Sequence, residues 1–259
     1  MKGFRKLRSV INPKELVRNV ARRRGLELKS FQVPEIVIMV YGEDLFDQLL
    51  KLSNAEKPKV WLYNPDSFPI RFGRIKNKDV TFIRLSIGAP ALVMHMEELI
   101  ACGGKKFILI GFSGSLQKDV DIGDFVIGTD AIREEGTSYH YLSRNIKASG
   151  SKELIEALLK SCRKHDVTFH SGTVWTIDAP YRETRRKVSR YQRQGVLCVD
   201  METAALFSLA TYRRVMAASL LRISDSLAEL KWRSGFDAQK LKLAEEKTAP
   251  IVIDTIKTI

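Results

Sequence analysis

Two acidic residues stand where apolar runs break off. Residues 196–199 are apolar and end in Asp200-Met201-Glu202, after which Thr203-Ala204-Ala205-Leu206-Phe207 begins a small-residue helix. Residues 215–223 form a second strand-like run that ends in Ser224-Asp225. Ligands of open α/β sheets bind beyond the carboxyl ends of the strands, so both tips are candidate site positions. A carboxylate there can accept hydrogen bonds from hydroxyl groups. A carboxyl group kept protonated near neutral pH, which needs a pKa raised by partial burial, can donate a proton. Other chemistries lack their signatures. Gly111-Phe112-Ser113-Gly114 has too few glycines for a dinucleotide loop, and Gly111 to Ser115 misses the Gly-x-Ser-x-Gly spacing by one residue. His95, His140, His165 and His170 show no metal-ligand spacing. No metal, flavin or nicotinamide is expected.

Elements that would position these tips can be read along the chain. Asn12-Pro13 predicts a helix start, with Asn12 as cap and Pro13 in the first turn. Strands are predicted at 35–40, 60–63, 80–85, 107–110, 125–127 and 174–177. Helices are predicted at 45–52, from Pro90 to Gly103-Gly104, and at 152–165, 182–194 and 238–259. Alternating strands and helices predict an α/β fold, a three-layer α/β/α sandwich around a mixed sheet. Residues 1–33 read as a basic N-terminal extension and 34–259 as the main domain.

The Asp200-Met201-Glu202-Thr203-Ala204 segment resembles the Val-Glu-Met-Glu-Ser/Thr-Ala turn of the nucleoside phosphorylase family, which includes purine nucleoside and uridine phosphorylases and related nucleosidases. Further segments follow in the family's order: Ser86-Ile87-Gly88-Ala89-Pro90, Glu97-Glu98-Leu99-Ile100, Ile110 to Leu116, Gly123-Asp124-Phe125-Val126 and Glu135 to Tyr141. The resemblance covers roughly residues 35–258. It implies cleavage of the bond between ribose and base in a nucleoside, through an oxocarbenium-like sugar. It assigns Asp225, after Ser224, to the N7 side of a purine, and this tilts the expected substrate toward purines over uridine. Glu202 would bind the ribose hydroxyls, with Met201 beneath the ring. Asp200 stands where the family more often has Glu. Tyr181 is a candidate ring for stacking on the base, and Arg233 a candidate support for the acid.

The nucleophile side departs from the family pattern. Its phosphate-binding turn aligns with Gly42 to Phe46, keeping Gly42 but placing Phe46 at an arginine position. A second arginine position reads Leu109, and Phe112 stands where the family has Ser or Thr. Arg71 or Arg74 could supply a third arginine, and Ser113-Gly114 frame the turn. Burying phosphate among Phe46, Leu109 and Phe112 without charged partners would cost several kcal/mol. Three alternatives follow: a phosphorylase holding inorganic phosphate through other groups such as Arg71, Arg84 or Lys118, a nucleosidase using water, or a binding module without activity. No cofactor other than phosphate as co-substrate is implied. The family further implies a homo-oligomer, a dimer or a hexamer.

The net charge of +13 collects in residues 2–24 and in the segment containing Arg182, Arg185, Arg186, Lys187, Arg190 and Arg193. Such surfaces attract anions, including nucleic acid, but no nucleic-acid module accompanies them and a solvated surface is the simpler expectation. Three scattered cysteines and no apolar leader or membrane-length apolar run predict a cytoplasmic protein without a membrane partner.

Overall fold

The computed structural model describes residues 9–64 and 69–259, so the basic residues Lys2, Arg5, Lys6 and Arg8 lie outside it. The first helix, α1 (Pro13–Arg24), starts as its sequence predicts: Asn12 Oδ1 accepts from Lys14 N at 2.9 Å. Val17, Val20 and Ala21 bury against α3 (Ala89–Ala101) within one apolar cluster.

The central sheet holds β1 (Ile36–Val40), β2 (Ile70–Ile75), β3 (Lys78–Arg84), β4 (Lys106–Ser115), β5 (Phe125–Arg133), β6 (Ala148–Ser149), β7 (Phe169–Thr176), β8 (Cys198–Asp200), β9 (Met216–Ser226) and β10 (Arg233–Ser234). The order β10-β9-β5-β7-β8-β4-β1-β3-β2 mixes parallel and antiparallel pairs. An added β9–β4 pairing closes β4, β9, β5, β7 and β8 into a ring. Helices α3 and α6 (Thr203–Arg213) cover one face. Helices α2 (Glu43–Ser53), α4 (Lys152–Lys164) and α7 (Gln239–Thr258) contribute to the core on the other. This is the expected mixed three-layer arrangement. The remaining helix, α5 (Arg185–Arg193), buries Val188 and Tyr191 beside Trp175.

One expected strand is absent. Residues 60–63 are irregular, and the Arg24 guanidinium takes the carbonyls of Trp61 and Leu62 at 2.5 and 3.1 Å. These carbonyls therefore find a cation instead of a ladder partner. The strand of this region is β2, the antiparallel edge partner of β3.

Candidate active site

The ring of strands brings the two acidic tips to one strand end. At its C-terminal end β4 pairs with β8 on one side, Gly114 opposite Val199, and with β9 on the other, Gly114 opposite Asp225. A Cβ on Gly114 would stand 3.0 Å from Asp225 Oδ2 and 3.4 Å from Val199 Cγ1. A side chain here would press on the Asp225 carboxylate, so glycine leaves it room to lie across this strand. Glu202 follows β8 by two residues and initiates α6.

Asp225 is half-buried and oriented by two donors. Ser224 Oγ donates to its Oδ1 at 2.8 Å, and Trp232 Nε1 donates to its Oδ2 at 3.0 Å. Arg233 does not bond to the acid; its guanidinium donates to Asp121 at 2.7 Å. Trp232, the residue before Arg233, is the neighbour that reaches the acid. Glu183, in the turn after β7, carries a pKa raised to about 7, first by burial and then by the charge of Asp225, with Lys187 opposing. Sequence reasoning missed Glu183 because its proximity to Asp225 is a tertiary fact.

Glu202 is buried, and Gly88 N donates to its Oε1 at 2.7 Å. Burial, then the charge of Asp200, raises its pKa, opposed by the Gly88 amide. The Tyr41 hydroxyl is buried outside hydrogen-bond geometry. Burial and then the charges of Glu202 and Asp200 push its pKa well above the tyrosine range. Met201 is half-buried beside Glu202. Asp200 has a structural task. Its Oδ1 accepts from Thr176 Oγ1 at 2.6 Å, and its Oδ2 accepts from Thr203 N at 2.9 Å, closing the first turn of α6. Burial raises its pKa, and these hydrogen bonds oppose the rise.

On the nucleophile side the structure separates what the sequence grouped. Phe46 and Leu109 are both core residues, in apolar clusters that also hold Ile38 and Met39 respectively. Phe112 alone of the three lines the adjoining cleft, a space of about 540 Å³ that also touches Tyr41, Gly42 and Arg222. Gly42 caps α2 at φ +93°, a backbone region that favours glycine, and no side chain caps that helix. Ser113 Oγ is buried without a hydrogen-bond partner, beside Cys198. Arg71 lies on β2 and donates to its own strand at Ile70 O, 2.8 Å. Arg84 ends β3 and lies 3.5 Å from Glu43, whereas Lys118 pairs with Glu229. Tyr181, in the turn after β7, is fully exposed and stacks on no ring among the described residues. No cluster of metal-ligating side chains occurs among the described residues.

Comparisons to known proteins identify the family. The phosphorylase superfamily profile matches residues 35–257, most of the chain. The chain belongs to that superfamily, the nucleoside phosphorylase family that its motifs resemble. A guanosine phosphorylase from Halorubrum lacusprofundi is 31% identical over 149 residues, 58% of this chain; the match spans 62% of that relative's length. A DeoD-type purine nucleoside phosphorylase from Shewanella oneidensis is 26% identical over 159 residues, 61% of this chain and 67% of the relative. A crystal structure of uridine phosphorylase from Vibrio fischeri superimposes with a TM-score of 0.78 at 25% identity, covering 88% of this chain and 94% of that one.

Proposed function

We propose that this protein cleaves the N-glycosidic bond of a nucleoside, purine in preference to uridine, by phosphorolysis in nucleoside salvage. The observation that carries the reading is the shared neighbourhood of Gly114, which has the Asp225 strand on one flank and the strand leading to Glu202 on the other. In the reaction a phosphate oxygen attacks the anomeric carbon as the bond to the base breaks. The bonding electrons pass to the base, whose N7 Asp225 protonates or hydrogen-bonds. Ser224 and Trp232 fix the Asp225 carboxylate, and Glu183, whose pKa burial and then the Asp225 charge raise to about 7, stands within electrostatic reach of it. Glu202 hydrogen-bonds the sugar hydroxyls through the carboxyl oxygen that Gly88 does not hold.

The second reading is hydrolysis, with water in place of phosphate. What supports it is the burial of Phe46 and Leu109 at the two positions where the family resemblance calls for arginine. A cytoplasmic location belongs to the proposal, and the three unpaired, buried cysteines support it. A homo-oligomer, dimer or hexamer, also belongs to it. Exposed Ile87, in the Gly88 turn, and exposed Met94, on α3, support that, and light scattering on the purified chain measures it.

The test is base release from adenosine, inosine, guanosine and uridine, with and without phosphate. The proposal expects purine release that depends on phosphate and yields ribose 1-phosphate. Free ribose without phosphate dependence would establish the hydrolase. No release from any nucleoside would contradict both readings.

A further inference from the structure

Arg222 is a buried cation without a carboxylate partner within 4.0 Å among the described residues. It belongs to β9, where neighbouring residues Leu221 and Ile223 are core. Its guanidinium carbon lies 4.0 Å from the centre of the Phe112 ring, and its Nε makes one long contact, 3.4 Å, to Gly111 O. Its Nη2 has no hydrogen-bond partner. A buried guanidinium donor left unpaired is costly, and removing water from a charge is tolerated when an anion completes the site. Burial lowers the Arg222 pKa only to about 10, so the charge persists at neutral pH.

Arg222 lines the cleft next to Gly42, at the N-terminus of α2. That helix has 11 residues, and no side chain caps its first amides. Uncapped helix amides and the positive end of the helix dipole favour an anion. Two independent features thus converge on one cleft: free helix amides and an unpaired buried guanidinium.

We propose that Arg222 and the N-terminal amides of α2 together hold the inorganic phosphate, with Arg222 taking the place of the arginines lost at Phe46 and Leu109. The phosphate role rests on the proposed phosphorolysis. Phe112, instead of blocking the site, serves as the stacking surface that holds the guanidinium flat. The outer cleft carries the carboxylates of Glu43, Asp44, Asp47, Glu245 and Glu246 against Lys51 and Lys242. Of these, Glu245 acts on Arg222 through its charge. This acidic rim opposes every anion, a polyphosphate more than a single phosphate, so the attraction has to come from Arg222 and the helix amides.

The test measures initial rates of base release against phosphate concentration for the wild-type protein, Arg222→Met and Arg222→Lys, and soaks wild-type crystals with inorganic phosphate. The expected result is a KM for phosphate raised about 30-fold in Arg222→Met, the loss of a charge-assisted hydrogen bond, with nucleoside KM changed less than about threefold. Arg222→Lys should recover part of the phosphate affinity. In the soaked crystal, phosphate should lie within hydrogen-bond distance of Arg222. An unchanged phosphate KM in folded Arg222→Met, or phosphate bound elsewhere in the wild-type crystal, would overturn the proposal. Should Arg222→Met fail to fold, the soak alone decides. Absence of base release by the wild type would sink the proposed function, while the soak would still report on Arg222.

Discussion

The two ends of the candidate site are built by opposite strategies. At the sugar and base end, acidic side chains sit on strand tips and are held by short-range donors: Gly88 N on Glu202, Ser224 and Trp232 on Asp225, Thr176 and Thr203 on Asp200. At the nucleophile end, the positions expected to carry charge are core, and the buried charge comes from the neighbouring strand β9. The contrast teaches that a site is specified by where the backbone brings groups together, so a buried charge can line a cleft from a strand whose sequence reads as core.

The largest effect is expected from reversing that exchange. Phe46→Arg would bury a guanidinium in the core shared with Leu45, Leu49 and Ile110, and should destabilise the fold by about 3–5 kcal/mol in chemical denaturation. A stable Phe46→Arg protein with tighter phosphate binding would break the claim that the two ends differ in kind.

Next is Asp225→Asn, which should lower kcat on purine nucleosides by about 10²–10³-fold, the range of general acid catalysis, and affect uridine less. Glu202→Gln should reduce kcat/KM by about 10²-fold, acting on sugar binding and turnover together. Steady-state kinetics with matched purine and uridine substrates separates these outcomes. Equal losses on both substrates from Asp225→Asn would remove the base-specific role.

Trp232→Phe removes one donor from the Asp225 carboxyl group and should cost about tenfold in kcat, with little change in nucleoside KM.

The smallest effect concerns pH. Burial raises the pKa of Glu202 in the folded state, so the folded state binds more protons than the unfolded chain above the ordinary glutamate pKa. Stability contributed by the protonated form is therefore lost as pH rises toward the folded value. Glu202→Gln removes that loss. Its Tm relative to wild type should climb by a few degrees as pH is raised, on the order of 1 kcal/mol in a chain of this size. A Tm difference that does not move with pH would contradict the burial of a charge at this position.

Much of the fold was legible because local rules and packing agree. Asn12 and Pro13 start α1 as predicted, and the run at 35–40 became β1, in which all of Ile36–Val40 are buried while Glu35 stays exposed before it. The segment after Pro90 became α3, with Leu92, Val93, Met96 and Leu99 inside. The helix expected at 182–194 starts later, at Arg185, because Pro180–Arg182 forms a short 3-10 turn and Thr184 caps α5. The strand β2 was missed since Arg71, Gly73 and Arg74 interrupt its apolar pattern, as suits an edge strand. The candidate site divides in the same way. Glu202 and Asp225 announce themselves by ending apolar runs, whereas Glu183 and Arg222 matter through partners distant in sequence. Arg222 in particular hides inside a run that reads as strand core, and only the missing partner for its Nη2 gives it away.

The most direct measurement is a crystal structure with a non-hydrolysable purine nucleoside and phosphate bound. The account predicts the Glu202 carboxylate within hydrogen-bond distance of the ribose hydroxyls and Asp225 facing N7 of the same molecule. A nucleoside seated away from the Gly114 strand end, or touching one of the two carboxyl groups and not the other, would contradict it.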